Sequence, residues 1–565
     1  MSIVPHDDVP NELWMDIFEA MDVPQDLHAV VLTCKKFYFC GIRALLRDLI
    51  WSNPKDVAAN LPAWGNRYAR NENAVVEPLL ATDVRSLCLG VSCVPDTFQV
   101  TFVDESGQEH DGPLHVIDID QDHDAPPEPA AHLTLKRSLR YYQLAERTHF
   151  ATISLYSQMC QRIVSFTNIE KLECKNLVFT DELFGVIHSL PALRKLYVEL
   201  CLFPPRQAIQ ARDHTLLPIT ELKLLNLRRR VTQGHEFAAG VNGALNGFAY
   251  ITAANGHIAF VDLDDDLTHV LKLALASNLR KLHIDSTADV LGRVFTVWDN
   301  TLPGYVYHVP QNLHSLHISK KAYHHGQVQP QFAGEQFFPD RALYALFSRC
   351  PTLQTISLEY QLPRHTAFPD DCLPHLRNAE GLAEAVIAMG KNRALQAISI
   401  LWSDNILYGT LESLNQIALD HGPRLKMLAV ECPKWDEEVL HAVCILFPEL
   451  RRLKLTFWAH GPREDTIVSL GPLFLSRLPH LHTIQVYQTQ SGQVNALPTH
   501  PSVLYDSSFG SIEEEMRDLV IPWNKFCPNL RTVQLSAGWK MARVGMKGGW
   551  EVQRVRRNEP EDFTF

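Results

Sequence analysis

The chain has 565 residues, 46 % apolar and 21 % charged, with a formal net charge of −12. Those values describe a globular protein with ample core, and they exclude a general nucleic-acid or anionic-membrane surface. The twelve cysteines are scattered without a CxxC pair, and "MSIVPHDDVP" lacks the basic and apolar regions of a signal peptide, so reduced thiols in the cytoplasm or nucleus are expected.

Residues 1–8 read as a tail. From 9 to 52 the chain predicts three short helices. Pro10 suits a helix start, where its missing N–H costs nothing. Leu13, Trp14, Ile17, Phe18 and Met21 then recur at helical spacing. Pro24 breaks that helix, Leu27, Val30 and Val31 begin a second, and Phe37 to Trp51 supply a third. So small a unit is too apolar to hide every such side chain, and an exposed apolar patch usually marks a partner. The alternative is that the patch packs on the chain's own following residues.

The stretch "VPNELWMDIFEAM…DLHAVVLTCKKFYFCGIRALL" resembles an F-box. The resemblance rests on Pro10, Glu12-Leu13, Ile17-Phe18, Asp26-Leu27, Leu32, Cys34-Lys35 and Phe37, with Val9 where the family usually has Leu. It covers under a tenth of the chain. It implies docking on the Skp-type adaptor of a cullin–RING ubiquitin ligase, with Pro10, Leu13, Trp14, Ile17, Phe18, Leu27 and Val30 forming or supporting the adaptor-binding face.

After a linker at 53–83, one phrase recurs, L-x-x-L-x-L with related apolar residues allowed. Copies start at Val84, Ile169, Leu193, Ile219, Leu279, Leu313, Leu353, Leu395, Leu425, Leu450, Leu481 and Leu530. The second and third apolar places lie two apart, so both point to one face of a short strand. Many copies follow a helical pattern ending in Pro or Gly, such as "DEEVLHAVCILFPEL", with Asp436 as N-cap, and "SIEEEMRDLVIPWNKFCPNL", with Ser511 and Glu514 as a capping-box pair. A helix–turn–strand unit cannot bury its own stripe, but a stack can. The expected fold is therefore α/β: three N-terminal helices, then an irregular leucine-rich-repeat solenoid over 84–540, and a tail at 541–565. The competing reading is an ordinary open α/β sheet. An F-box followed by such repeats, and an ending like "CPNLRTVQLSAG…WEVQRV", is similar to fungal F-box proteins, in which the repeats hold the substrate protein.

Two insertions interrupt the repeat. At 91–133, "TFQVTFV" and "PLHVIDI" predict a hairpin, followed by an acidic loop; between Arg85 and Lys136 there are ten acidic residues and no Lys or Arg. At 231–262, the uncharged run from Phe237 to Val261 imitates a membrane span. Its three Asn-Gly steps favour hairpin turns instead, with strands in "FAYITAA" and "HIAFV".

The third, fifth and seventh residues of each phrase face away from the core, and stacked strands present them as one concave wall. The residues assigned to hold a substrate protein are Tyr197, Glu199, His283, Asp285, His317, Arg452, Lys454, Gln485 and Tyr487, with the tyrosines as anchors. The other possibility is a solvated wall with binding by loops. Catalytic and metal motifs fail: His235-Glu236 lacks the second His, Asp262/Asp264/Asp266 and Asp118/Asp120/Asp122 lack the Gly and Glu of a calcium loop, His324-His325 is an isolated pair, and no phosphate loop or nucleophile elbow occurs. No enzyme activity, cofactor or metal is expected. The function implied is a substrate receptor of a ubiquitin ligase; the alternative is a repeat scaffold that binds protein without any ligase role.

Overall fold

The structure is a computed structural model. It describes residues 9–53, 83–90, 155–203, 210–229, 268–285, 310–319, 340–401, 407–488 and 511–554 apart from a few short loops within them, a few residues between 57 and 61, and the backbone of strands at 97–103, 109–115, 134–135, 244–245, 248–252, 258–262, 296–299 and 304–307. The chain is mixed α/β and divides into two units, Met1–Asn312 with Lys321–Ala333, and Leu313–Lys320 with Gly334–Phe565. No helix among the described residues is long and apolar enough to cross a membrane, and the eleven described cysteines form no disulfide.

The first unit opens with α1 (Asn11–Glu19), α2 (Pro24–Val31) and α3 (Lys35–Arg47). The third helix stops four residues short of the expected Trp51. Asp48–Trp51 instead becomes β1, paired with β2 (Ser86–Leu89). Here Leu46, Leu49 and Trp51 repeat the apolar phrase inside what looks like a helical stretch, and Trp51 is buried. A parallel sheet continues through β3 (Lys171–Lys175), β4 (Lys195–Glu199), β5 (Glu221–Leu225) and β6 (Lys281–Ile284).

In the second unit the parallel strands are β7 (Ser315–Ile318), β8 (Thr355–Leu358), β9 (Asn378–Gly381), β10 (Ala397–Ile400), β11 (Met427–Lys434), β12 (Arg452–Ala459), β13 (Thr483–Gln488) and β14 (Thr532–Ser536). Every one of the twelve phrases starts two residues before a strand. Their apolar places are buried throughout, as in Leu193, Leu196 and Val198 or Leu481, Ile484 and Val486. Neighbouring phrases pair without offset, so Lys171, Lys195, Glu221 and Lys281 stand in one row. A one-residue slip would turn each buried pair to the opposite face, which fixes the register.

Strand β9 is a further copy that the apolar phrase does not mark. Its apolar places are Leu376, Ala379 and Gly381. The small residues are required: a Cβ on Gly381 would lie 2.4 Å from the Leu358 carbonyl oxygen of the neighbouring strand. The expected tail at 541–565 is also partly sheet. β15 (Trp539–Arg543) and β16 (Trp550–Arg554) turn back antiparallel onto β14.

Helices precede many strands. Thr180 caps Asp181–Ser189 by accepting the Leu183 N–H at 3.3 Å. Asp436 accepts the Glu438 N–H at 2.9 Å as the expected N-cap, and Ser511 accepts the Glu514 N–H at 3.2 Å, the serine half of the expected capping box. In Glu437–Leu446 the residues Val439, Leu440 and Val443 face the core, followed by buried Phe447.

The insertions pair as hairpins. Phe248–Thr252 opposes Ile258–Asp262, around the expected Asn255-Gly256 step. Thr97–Val103 opposes Glu109–His115, so the returning strand starts four residues before "PLHVIDI". Residues 116–133, the expected acidic loop, lie outside the described residues. A further hairpin, Thr296–Asp299 with Gly304–Tyr307, was not expected; the gap before Leu313 carries no Asn-Gly step to announce it.

Candidate functional site

The three N-terminal helices close a core of their own. Phe18, Leu27, Val31 and Cys40 are its buried centre, ringed by Trp14, Met15, Met21, Val30, Phe37, Ala44 and Leu45. Trp14, Phe18 and Phe37 meet as rings 4.6–5.8 Å apart, within the range for favourable aromatic pairs. Cys34 begins α3, its Sγ accepting the Phe37 N–H at 3.4 Å. Lys36 Nζ donates to the Val9 carbonyl at 3.0 Å, tying α3 to the start of α1. At Gly41 a Cβ would meet Val31 Cγ2 at 2.5 Å, so glycine permits the close packing of α3 on α2.

This sorts the seven residues assigned to the adaptor face. Phe18 and Leu27 are core residues, 1 % and 4 % exposed, and offer no surface. Trp14 and Val30 are half-buried against that core, and Pro10 is exposed ahead of α1. Leu13 and Ile17, one turn apart on α1, are 52 % and 46 % exposed, and described residues leave them uncovered. The sequence reading missed two equally bare residues, Leu32 at the end of α2 and Phe39 on α3, with Tyr38 beside it. Their signal was available: both fall off the helical faces that carry Val31 and Cys40.

The outward face of the first sheet is a grid of charges. Across it stand Ser86, Lys171, Lys195, Glu221 and Lys281 in one row, and Cys88, Glu173, Tyr197, Lys223 and His283 in the next. Neighbours pair: Glu173 with Lys171 and Lys175, Lys195 with Glu221 at 3.6 Å, and Glu199 with Lys223 at 3.7 Å. Tyr197 is half-buried and donates its hydroxyl to Glu221 Oε1 at 2.5 Å; burial, then that carboxylate, push its pKa up. Burial also raises Glu173, but its bonds and charge contacts with Lys171 and Lys175 outweigh it and hold the carboxyl below its usual range. His283 is half-buried in the same row.

Asp285 does not belong to this surface. It is 6 % exposed, and its Oδ2 accepts the N–H of Asn226 at 2.6 Å. Asn176 and Leu200 end their strands in the same left-handed turn as Asn226, but donate to backbone carbonyls of Glu199 and Leu225. Beyond β5 the next strand ends one residue earlier, and the Asp285 side chain supplies the acceptor.

In the second unit the outward face is more crowded. His317 Nε2 lies 3.2 Å from Glu359 Oε1, and Ser357 donates to Glu380 at 2.6 Å. Arg452 is exposed and Lys454 half-buried. Gln485 and Tyr487 are each 5 % exposed, which removes both from a free binding surface. Gln485 donates to Gln534 Oε1 at 2.6 Å, and Lys454 Nζ stands 5.8 Å over the Tyr487 ring. Alternation predicts which face a residue occupies, but row neighbours one strand away bury it there.

On the helical side of the first unit, His188 Nε2 and His214 Nδ1 lie 3.1 Å apart, beside an Arg212–Asp181 pair. Burial lowers the pKa of both histidines, that of His214 to about 4, with positive neighbours adding to it. The unfolded chain therefore binds protons more readily. The pair's contribution is whole above pH 6.5 and is lost as pH falls from there toward about 4. The wild-type thermal midpoint should drop further between pH 7 and pH 4.5 than that of His214→Gln; equal drops would refute the assignment.

Among the described residues no group of three or more His, Cys, Asp or Glu side chains is placed to hold a metal. His235-Glu236, Asp118 to Asp122, Asp264, Asp266 and His324-His325 lie outside the described residues.

No family profile matches the chain, and no curated protein does. Among solved structures, one of the Toll–Spatzle complex of Drosophila is similar, with 10 % identity over 59 % of this chain and a TM-score of 0.23. The match spans 42 % of that chain, less than half its length, and at that TM-score it carries no argument for fold or function.

Proposed function

We propose that this chain is the substrate-receptor subunit of an SCF-type cullin–RING ubiquitin ligase. Residues 9–47 act as an F-box that docks on the Skp-type adaptor, and the parallel strands and helices behind them act as a leucine-rich-repeat solenoid that holds a substrate protein. One observation carries the reading. Leu13, Ile17, Leu32 and Phe39 stay bare although the three helices already enclose a complete core. Such side chains are not needed for folding, and leaving them in water is unfavourable by about 25 cal/mol per Å². A partner that covers them explains their presence.

In this reading the chain performs no bond chemistry. It raises the effective concentration of a substrate near the ligase's transfer centre. The substrate residues that remain accessible are Tyr197, Glu199 and His283 in the first unit and His317, Arg452 and Lys454 in the second. A cytoplasmic or nuclear location follows from the partners. The test is a pull-down with purified Skp-type adaptor. Wild type binds; Leu13→Asp with Ile17→Asp loses binding at least 100-fold, about 2.7 kcal/mol, with its thermal midpoint unchanged. Absence of wild-type binding refutes the reading. If the adaptor binds but substrate levels stay constant when the chain is removed from cells, the ligase role fails and a scaffold remains.

A further inference from the structure

The second residue of each phrase builds a row that the function above does not use. In the second unit its backbone forms an unbroken ladder along the strand starts. Arg377 N–H donates to the Gln354 carbonyl at 2.9 Å, Gln396 to Arg377 at 2.7 Å, and Lys426 to Gln396 at 2.8 Å. Arg451 donates to Lys426 at 2.8 Å, His482 to Arg451 at 2.7 Å, and Arg531 to His482 at 2.8 Å; Arg543 closes the row on Arg531 at 2.8 Å. From Arg377 to Arg543 the row holds five Lys or Arg residues, one His, one Gln and no acid. In a chain of net charge −12 this is a local reversal of sign.

Arg377, Arg451 and Arg531 are exposed, and Lys426, His482 and Arg543 half-buried. Among the described residues Arg377, Arg451, Arg531 and Arg543 make no side-chain hydrogen bond or ion pair. Among the described residues the ion pairs at the row are those of Glu449, 3.6 Å from Lys426 and 3.8 Å from His480. The cations act on one another: His482 is held below its ordinary pKa by partial burial first, then by Arg531, Arg451, Arg452 and His480.

We infer that this edge of the second unit binds an acidic, Asp/Glu-rich segment of polypeptide, its carboxylates on Arg377, Lys426, Arg451, Arg531 and Arg543. The ladder uses the backbone groups, so recognition is by side chains. Strands lie about 4.8 Å apart, which puts the cations about 5–10 Å from one another, while same-face carboxylates of an extended segment recur about every 6.8 Å. Arginine forks take carboxylates in pairs of hydrogen bonds. From Arg377 to Arg543 the row carries no Phe, Tyr or Trp on which bases would stack, and the chain's overall charge repels a long polyanion, so a peptide fits better than a nucleic acid. The inference uses none of the residues of the adaptor face and stands or falls apart from it.

The experiment is fluorescence anisotropy on the full chain at 50 mM NaCl, with a labelled twelve-residue Asp/Glu-rich peptide, the same peptide with Gln and Asn for its acids, and a single-stranded oligonucleotide of twelve bases. The acidic peptide should bind at least 10-fold tighter than the neutral one and tighter than the oligonucleotide, and weaken as salt rises. Arg451→Glu with Arg531→Glu, both exposed, should lower its affinity at least 10-fold with an unchanged thermal midpoint. Lys525→Glu, on the helical side, should leave it unchanged. Equal binding of the neutral peptide, tighter binding of the oligonucleotide, no effect of the double reversal, or an equal loss in Lys525→Glu would each overturn the inference.

Discussion

Arg393→Met is expected to destabilise the second unit by at least about 3 kcal/mol, since each buried acceptor left without a donor costs about 1–3 kcal/mol. Arg393 is 9 % exposed and follows the helix Ala383–Gly390. Its guanidinium donates to the carbonyls of Met389 at 3.0 Å, Lys391 at 2.8 Å, Cys372 at 2.7 Å and Pro369 at 2.8 Å. One side chain thereby satisfies the end of a helix and pins the preceding loop to it. Methionine keeps an unbranched apolar stem and removes every donor. Arg393→Lys should recover less than half of the loss, because an ammonium on a flexible stem has no fork. Amide exchange across Ala383–Gly390 should speed up in step with the stability loss. A Met variant within 1 kcal/mol of wild type would show that water replaces the guanidinium there.

Phe18→Ala should cost about 3–5 kcal/mol, the usual loss for truncating a buried aromatic. The ring sits between Trp14 and Phe37 at 5.8 Å and 5.4 Å and closes the core of the three helices. Leu13→Ala, five residues earlier on the same helix but half exposed, should cost under about 0.5 kcal/mol, as surface changes do. Denaturant unfolding of the two variants separates a residue that builds the docking face from one that forms it. Similar losses for both would mean that Leu13 is covered in solution and that the apolar face is not open.

Twelve of the parallel strands are legible in the sequence because each needs two buried apolar residues two apart, after a third that closes the preceding turn. The copy at Leu46 is hidden because the helix of "FCGIRALLR" runs straight into it. The copy at Leu376 is hidden because Ala379 and Gly381 carry too little side chain to register as apolar. At the candidate sites, helical spacing finds the apolar stripe of α1, but which of its residues end inside depends on where α2 and α3 cross it. Phe18 and Leu13 differ by five residues in sequence and by nearly all of their exposure. Tyr487, Gln485 and Asp285 illustrate the same limit: their faces follow from alternation, and their burial from neighbours many residues away. Arg393 gives no signal at all, since "GKNRAL" reads as an exposed turn.

The most direct test of the account is amide exchange on the full chain with and without Skp-type adaptor. Protection should appear in Asn11–Glu19 and Lys35–Arg47, around Leu13, Ile17 and Phe39, while exchange in the sheet strands stays unchanged. No change in those two helices at saturating adaptor, or protection confined to the sheets, would contradict it.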